Sequence, residues 1–153
     1  MVSQIIDLIL AEVAAAGGGT HKKLIGQKHL AEQGKPPKLV WIPKAMRFGA
    51  PVKAAANPRP LRTRYTTVEL VVHGATLDAT EALLHRILAA AHAVTHGSYE
   101  LGDGEWDVAD AQLQHGVRCA VDLVFAIPVT EVPKATVEIL ATAQISELQL
   151  ASE

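Results

Sequence analysis

Residues 61–97 read LRTRYTTVELVVHGATLDATEALLHRILAAAHAVTHG, and this stretch decides the fold. In its first part, Val68, Leu70 and Val72 alternate with polar side chains. Alternation with a period of two is typical of a strand with one buried face. Gly74 ends the alternation, and the sequence therefore predicts a strand over residues 61–73.

An amphipathic helix is predicted directly after this strand, over residues 79–96. Asp78 is expected to be its N-cap, and Glu81, three residues later, would complete a capping box. Gly97 stands where a left-handed C-cap residue is expected. Apolar residues recur at helical spacing at Leu84, Ile87, Leu88, Ala91 and Val94. A strand that leads into such a helix predicts a two-layer core.

The rest of the chain adds shorter elements around this unit. We predict a helix over 3–16, a helical turn near 29–33, a short strand over 38–42, a long basic loop over 43–60, a turn over 98–106, a strand over 116–127, a connection over 128–133 and a strand over 135–146. The sequence therefore predicts one α+β domain over residues 1–153. It would have a largely antiparallel or mixed sheet, two main helices on one face, and a long basic loop or hairpin.

Composition narrows the class of protein. The 153 residues are 49% hydrophobic and 20% charged, with no apolar run near the roughly 20 residues that span a bilayer. We therefore expect no membrane contact. The single cysteine, Cys119, excludes an internal disulfide and lies in an alternating apolar run, which predicts a core position and production in the cytoplasm.

The small net charge of -2 hides a strong asymmetry along the chain. The segment from His21 to Arg64 carries 11 of the 14 lysines and arginines but a single acid, Glu32. Acidic residues prevail outside it. Such polarisation predicts one surface that faces a polyanion or an acidic partner surface.

Two clusters have the residue types of a metal site. His85, His92 and His96 lie near one another around the predicted helix, but they lack the glutamate of an HExxH motif and fall opposite the apolar stripe. They are interpreted as a solvated row or an interface. The acidic residues of the second cluster are Asp103, Glu105, Asp107 and Asp110. They fail the EF-hand order, because Val108 and Gln114 occupy its sixth and twelfth positions.

No catalytic pattern is present in the sequence. No serine stands in a GxSxG elbow, and Cys119 belongs to a predicted core strand. We therefore expect no enzymatic activity, no catalytic residues, no metal site and no cofactor.

The basic segment is the strongest functional candidate. Five of its residues are proposed as a partner or lumen surface: Arg47, Lys53, Arg59, Arg62 and Arg64. The segment lacks the interleaved aromatic residues of single-strand binders, so sequence-specific readout is not expected. Two interpretations remain open, a subunit-interface arm and a surface close to DNA. An alternative function follows from the second: a small nucleic-acid-binding module without sequence specificity that uses residues 44–64.

Residues 63–148 resemble a known family in element order and in local phrases. The phrases are RYTTVELVVHG at 64–74, TEALLH at 80–85, HGSYEL at 96–101, GEW at 104–106 and IPV at 127–129. The chain is similar here to the tail-terminator and tail-completion proteins of tailed bacteriophages. These are small α+β proteins that assemble as rings, commonly hexamers.

The resemblance implies a structural role in the virion, at the neck of the tail, after assembly in the cytoplasm of the bacterial host. A ring of such subunits would cap the tail tube, contact the tube protein and the head-completion (stopper) protein, and let double-stranded DNA pass through its lumen. The adjacent subunit is then expected to contact an acidic set, Glu100, Asp103, Glu105 and Asp107. Charge-polarised subunits favour such head-to-tail contacts.

Overall fold

A computed structural model describes residues 2–32, 35–50, 60–108 and 116–130 of the chain. In these residues there are three helices and five strands. They are α1 (Val2–Ala15), β1 (Leu24–Ile25), α2 (Lys28–Ala31), β2 (Lys38–Phe48), β3 (Pro60–Gly74), α3 (Leu77–Thr95), β4 (Tyr99–Asp107) and β5 (Val117–Thr130). The predicted α+β class is confirmed.

The five strands form one mixed sheet in the order β1-β2-β3-β5-β4. β1 pairs with β2 in parallel, and β4 pairs with β5 in antiparallel. β2 and β3 run antiparallel as well, because Lys44 contacts Glu69 whereas Arg47, further along β2, contacts Tyr65, an earlier residue of β3.

Both long helices pack on the same face of the sheet, as predicted. Their inward residues join the alternate residues of β2, β3 and β5 in one core. The core consists of Ile6, Ile9, Val13, Leu39, Trp41, Val68, Leu70, Val72, Leu83, Ile87, Ala90, Ala91, Cys119, Val121, Leu123, Phe125 and Ile127. The opposite face, called here the open face, has a smaller apolar cluster of Val40, Ile42 and Val71 beside α2 residue Leu30. In β5 and in most of β3, burial of alternate residues against the helices explains the alternation in the sequence.

The N-terminus of α3 is capped by Thr76 and not by Asp78. The Thr76 side chain accepts a hydrogen bond from the Ala79 N–H at 3.1 Å, so the predicted Asp78–Glu81 capping box is wrong and the helix begins at Leu77. Threonine and aspartate are both common N-caps, and the sequence pattern alone does not choose between them.

The buried face of α3 is rotated from the predicted stripe. Its buried residues are Thr80, Leu83, Ile87, Ala90 and Ala91, whereas Leu84 and Leu88 are half-buried. The helix ends at Thr95. The next residue, His96, has the left-handed conformation that was expected at Gly97, and Gly97 also has a positive φ, of 80°.

Several predicted boundaries are wrong because strands continue past the residues that were expected to end them. β2 runs to Phe48 through Pro43, so the first part of the predicted loop 43–60 is strand. β5 likewise runs through Pro128 to Thr130. The predicted turn over 98–106 is the edge strand β4, and β1 was not predicted. The predicted strand 135–146 lies outside the described residues.

The chain divides into two compact units. The first comprises Met1–Arg47 and Tyr65–Ile127, and the second comprises Phe48–Arg64 and Pro128–Glu153. Both long helices and the whole of the helix-facing core belong to the first unit. In the second, the Gly49 N–H donates to the Thr63 carbonyl at 2.8 Å. None of the helices in the described part of the chain is long and apolar enough to cross a membrane.

One buried hydroxyl connects three elements of the first unit. Thr80 is fully buried, and its Oγ1 accepts a hydrogen bond from the Gly74 N–H at 3.0 Å. The same oxygen lies 2.8 Å from the carbonyl oxygens of Thr76 and Val117. It therefore joins the end of β3, the start of α3 and the start of β5.

We predict that Thr80→Val lowers the free energy of unfolding by about 1–3 kcal/mol, because it leaves the buried Gly74 N–H without an acceptor. Urea denaturation monitored by circular dichroism measures this. Thr95→Val is the matched control: within the described residues its hydroxyl bonds only the Ala91 carbonyl of the same helix, so a smaller loss is expected. Equal losses for the two variants would contradict the role given to Thr80.

Candidate functional site

The acidic residues of the predicted site lie on β4, at one edge of the sheet. Among the described residues, no strand pairs with the outer side of β4. Glu100, Asp103 and Glu105 are exposed along it. The register of the pairing with β5 shifts between Leu101 and Gly104, where β4 contains one residue more than β5. This irregularity interrupts the alternation by which a strand is recognised in a sequence.

Large apolar side chains on β4 are also exposed, on the face of the sheet opposite to that of Glu100 and Glu105. Trp106 is opposite Cys119 and Leu101 is opposite Leu123, so both lie on the helix-facing side of the sheet. Trp106 is nevertheless 47% exposed and Leu101 55% exposed. An edge strand with exposed apolar residues is a common site of association, because its backbone groups and apolar area are both available.

Asp107, the fourth predicted acidic residue, is bonded within the subunit. The Arg118 guanidinium donates to Asp107 Oδ2 at 3.1 Å, and both side chains are half-buried. The acidic surface available to a partner is therefore Glu100, Asp103 and Glu105, and we call these residues with Leu101 and Trp106 the β4 edge.

The predicted basic residues differ in their surroundings. Arg47 is exposed, with its guanidinium carbon 4.0 Å from the centre of the Tyr65 ring, a cation–π geometry. Arg62 is exposed, whereas Arg64 is half-buried with a buried Nε. Lys53 and Arg59 lie outside the described residues. Arg47 was predicted from the sequence, but the aromatic ring beneath it was not.

A charge cluster on the open face was also missed by sequence reasoning. Lys44 Nζ lies 3.4 Å from a Glu69 carboxylate oxygen and 3.3 Å from one of Asp122, which links β2, β3 and β5. The bonds to Asp122 and then Glu69 raise the pKa of Lys44. Lys44 was predicted to belong to the basic loop over 43–60 and to the alternative nucleic-acid-binding segment 44–64, but its ammonium group contacts carboxylates of its own sheet.

His73 is the other titratable group of interest on the open face. Its Nε2 is buried and has no hydrogen-bond partner within the described residues. Burial lowers its pKa, and the positive charges of Arg118 and Lys38 lower it further. The neutral imidazole is thus the form that the fold accommodates.

We predict that stability falls as the pH drops below about 6.5, the ordinary pKa of histidine, because the unfolded chain then takes up a proton that folded His73 resists. Urea unfolding at neutral and mildly acidic pH, with His73→Gln and His85→Gln in parallel, measures this. The loss should be smaller in His73→Gln, while exposed His85→Gln should match the parent protein. An unchanged slope in His73→Gln would refute the assignment.

The remaining residues considered as metal or catalytic candidates are three histidines in or directly after α3 and the single cysteine. His85, His92 and His96 are all exposed, and His92 contacts Tyr99 edge-on at 6.3 Å between ring centres. Within the described ranges, no group of three or more His, Cys, Asp or Glu side chains is arranged to hold a metal. Cys119 is buried, and burial raises the pKa of its thiol, which disfavours the reactive thiolate.

No protein-family model matches this chain, and no curated protein sequence matches it. Function is therefore inferred from the geometry of the β4 edge and the basic residues, and from the resemblance of residues 63–148 described above.

Proposed function

We propose that this chain is a non-enzymatic subunit of a ring that terminates the tail tube of a tailed bacteriophage and joins it to the head-completion proteins. The observation that carries the proposal is the β4 edge. There, three exposed carboxylates and two exposed large apolar residues share one strand at the end of the sheet. Such a surface is suited to burial against another protein.

The charge distribution supports a head-to-tail contact between copies. The acidic edge is on β4, at one end of the sheet order, whereas Arg47 is exposed on β2, two strands away from β5 and three from β4. Because two different surfaces of one subunit would meet, the contact is heterologous. Contacts of this type close into rings when the rotation between subunits is a whole fraction of a turn.

The resemblance supplies the remaining partners. They are further copies of this chain, in a ring expected to be a hexamer, the tail-tube protein, the head-completion (stopper) protein, and double-stranded DNA in the lumen. In this arrangement exposed cations such as Arg47 and Arg62 serve a partner surface or the lumen, where contacts with phosphates carry no sequence information.

The prediction is that the purified protein forms rings, alone or when mixed with its tail-tube protein, as seen by negative-stain electron microscopy and light scattering. Reversing the acidic charges (Glu100→Lys, Asp103→Lys, Glu105→Lys) should prevent assembly, because it removes the attraction that orients the edge. A matched reversal elsewhere, Glu12→Lys with Glu81→Lys, both exposed, should assemble normally. A protein that stays monomeric even with the tube protein would contradict the proposal.

The alternative function, a non-specific nucleic-acid-binding module, is favoured by the exposure of Arg47 and Arg62. It predicts that the isolated protein binds duplex DNA and that Arg47→Glu with Arg62→Glu weakens binding several-fold. Fluorescence anisotropy over a salt series measures both effects, and the salt slope should decrease by roughly 0.9 for each phosphate that the variant no longer neutralises. If the protein binds duplex DNA weakly and the two substitutions do not change that binding, the nucleic-acid-binding function is excluded. That result would be consistent with a ring through whose lumen DNA slides.

A further inference from the structure

A cavity of about 290 Å³ lies beside the first turns of α3, in the first unit. Most of the residues that line it have small side chains, among them Gly17, Gly18, Gly74, Ala75, Ala79 and Ala82. Two basic residues, His21 and Arg86, also line it. The loop after α1, the pair Pro36 and Pro37, and one side of α3 bound this site, which we call the α1–α3 groove.

The groove has a mainly apolar lining and one exposed cation, Arg86. Gly18 lies so close to Val13 and to the stem of Arg86 that a Cβ there would be 2.6 Å from Val13 Cγ1. Arg86 Nη1 donates to the Ala16 carbonyl at 3.2 Å, which positions the exposed guanidinium. His21 Nε2 is held 2.9 Å from the Gly18 carbonyl oxygen. These features suit an apolar side chain that is accompanied by carboxylates.

The β4 edge has that chemistry, and it is a different surface of the subunit. Helix α3 contacts both α1, which leads into the groove loop, and β4. In the sheet, β5 separates β4 from β3, and Gly74 at the end of β3 lines the groove. One subunit can therefore present its groove and its β4 edge at the same time.

We propose that the α1–α3 groove of one copy receives Trp106 of the β4 edge of a second copy, with Asp103 beside Arg86 of the receiving copy. This inference rests on the proposed function and names the surface that the acidic edge contacts. A single aromatic side chain can bury about 150–250 Å², and tryptophan and arginine are both enriched among the residues that contribute most to binding at interfaces. The guanidinium of Arg86 can also stack on an indole ring.

Charge complementarity selects a second copy as the occupant. On β4, the carboxylate of Asp103 lies in the register shift between Leu101 and Gly104, and in the groove the cation is Arg86. Because groove and edge are different surfaces of one subunit, each copy would contact two neighbours. Repetition of that contact generates a ring or an open filament and not an isolated symmetric dimer.

The first experiment fills the groove or removes the side chain that enters it. Ala82→Leu adds a good helix former at an exposed groove position, and Trp106→Ala removes the indole. Each should raise the concentration needed for assembly at least about tenfold, which corresponds to the loss of a strong interface residue. The matched controls are Ala93→Leu, exposed on the same helix outside the groove, and Met46→Ala, exposed on β2. Both should assemble like the parent protein.

The second experiment exchanges the charges across the contact. Arg86→Glu and Asp103→Arg should each weaken assembly, and their combination should restore most of it, since opposite charges again face each other. Circular dichroism and thermal melting of each variant verify that it is folded. Absence of any restoration in the folded double variant would overturn the placement of Asp103 against Arg86.

A third experiment tests the direction of the contact by cross-linking. Ala82→Cys and Leu101→Cys are prepared as separate proteins and treated with a short bis-maleimide, while native Cys119 is buried and serves as the unreactive background. Cross-linked dimers should form only when the two variants are mixed. Dimers within either variant alone would indicate a symmetric contact and would overturn the inference.

These outcomes separate the inference from the proposed function. Rings that form normally despite Ala82→Leu and Trp106→Ala would refute the groove contact and leave the ring proposal standing. A chain that never assembles, alone or with the tail-tube protein, would refute both.

Discussion

The structure depends on how far two helices extend over one face of a five-stranded sheet. α1 and α3 contact each other and bury the alternate residues of β2, β3 and β5. β4 continues the sheet, and its Leu101 and Trp106 lie opposite core residues of β5 yet remain about half exposed. Apolar residues in this position favour a partner, because covering them removes area from water without rearranging the core.

Some of the charged residues form ion pairs within the subunit, and others remain exposed on its surface. Lys44 bonds Asp122 and Glu69 across three strands, and Arg118 bonds Asp107 across two. These pairs fix strands relative to one another and leave fewer charges for partners. Glu100, Asp103 and Glu105 on one side, and Arg47 and Arg62 among the cations, remain exposed. Exposed charges of this kind orient an encounter and set its specificity more than they determine its affinity.

The proposed contact between copies combines these two features. The β4 edge offers an indole and carboxylates, and the α1–α3 groove offers a mainly apolar lining and the cation Arg86. Both surfaces belong to the same compact unit as the helix-facing core, so their geometry is fixed by the packing of α3. In the proposed ring, a subunit would offer one of these surfaces to each of its two neighbours.

The sequence by itself determined the local elements whose burial is regular. The alternation at Val68, Leu70 and Val72 and the helical spacing after Gly74 predicted β3, α3 and the α+β class, because one buried face imposes a period on the chain. It did not reveal β4, where a register shift and solvent on both faces remove the period. Only the tertiary structure decided which charges are paired internally, that Trp106 is left exposed, and that the small residues of separate segments meet in one groove. Those outcomes depend on contacts between residues far apart in sequence, which no local pattern encodes.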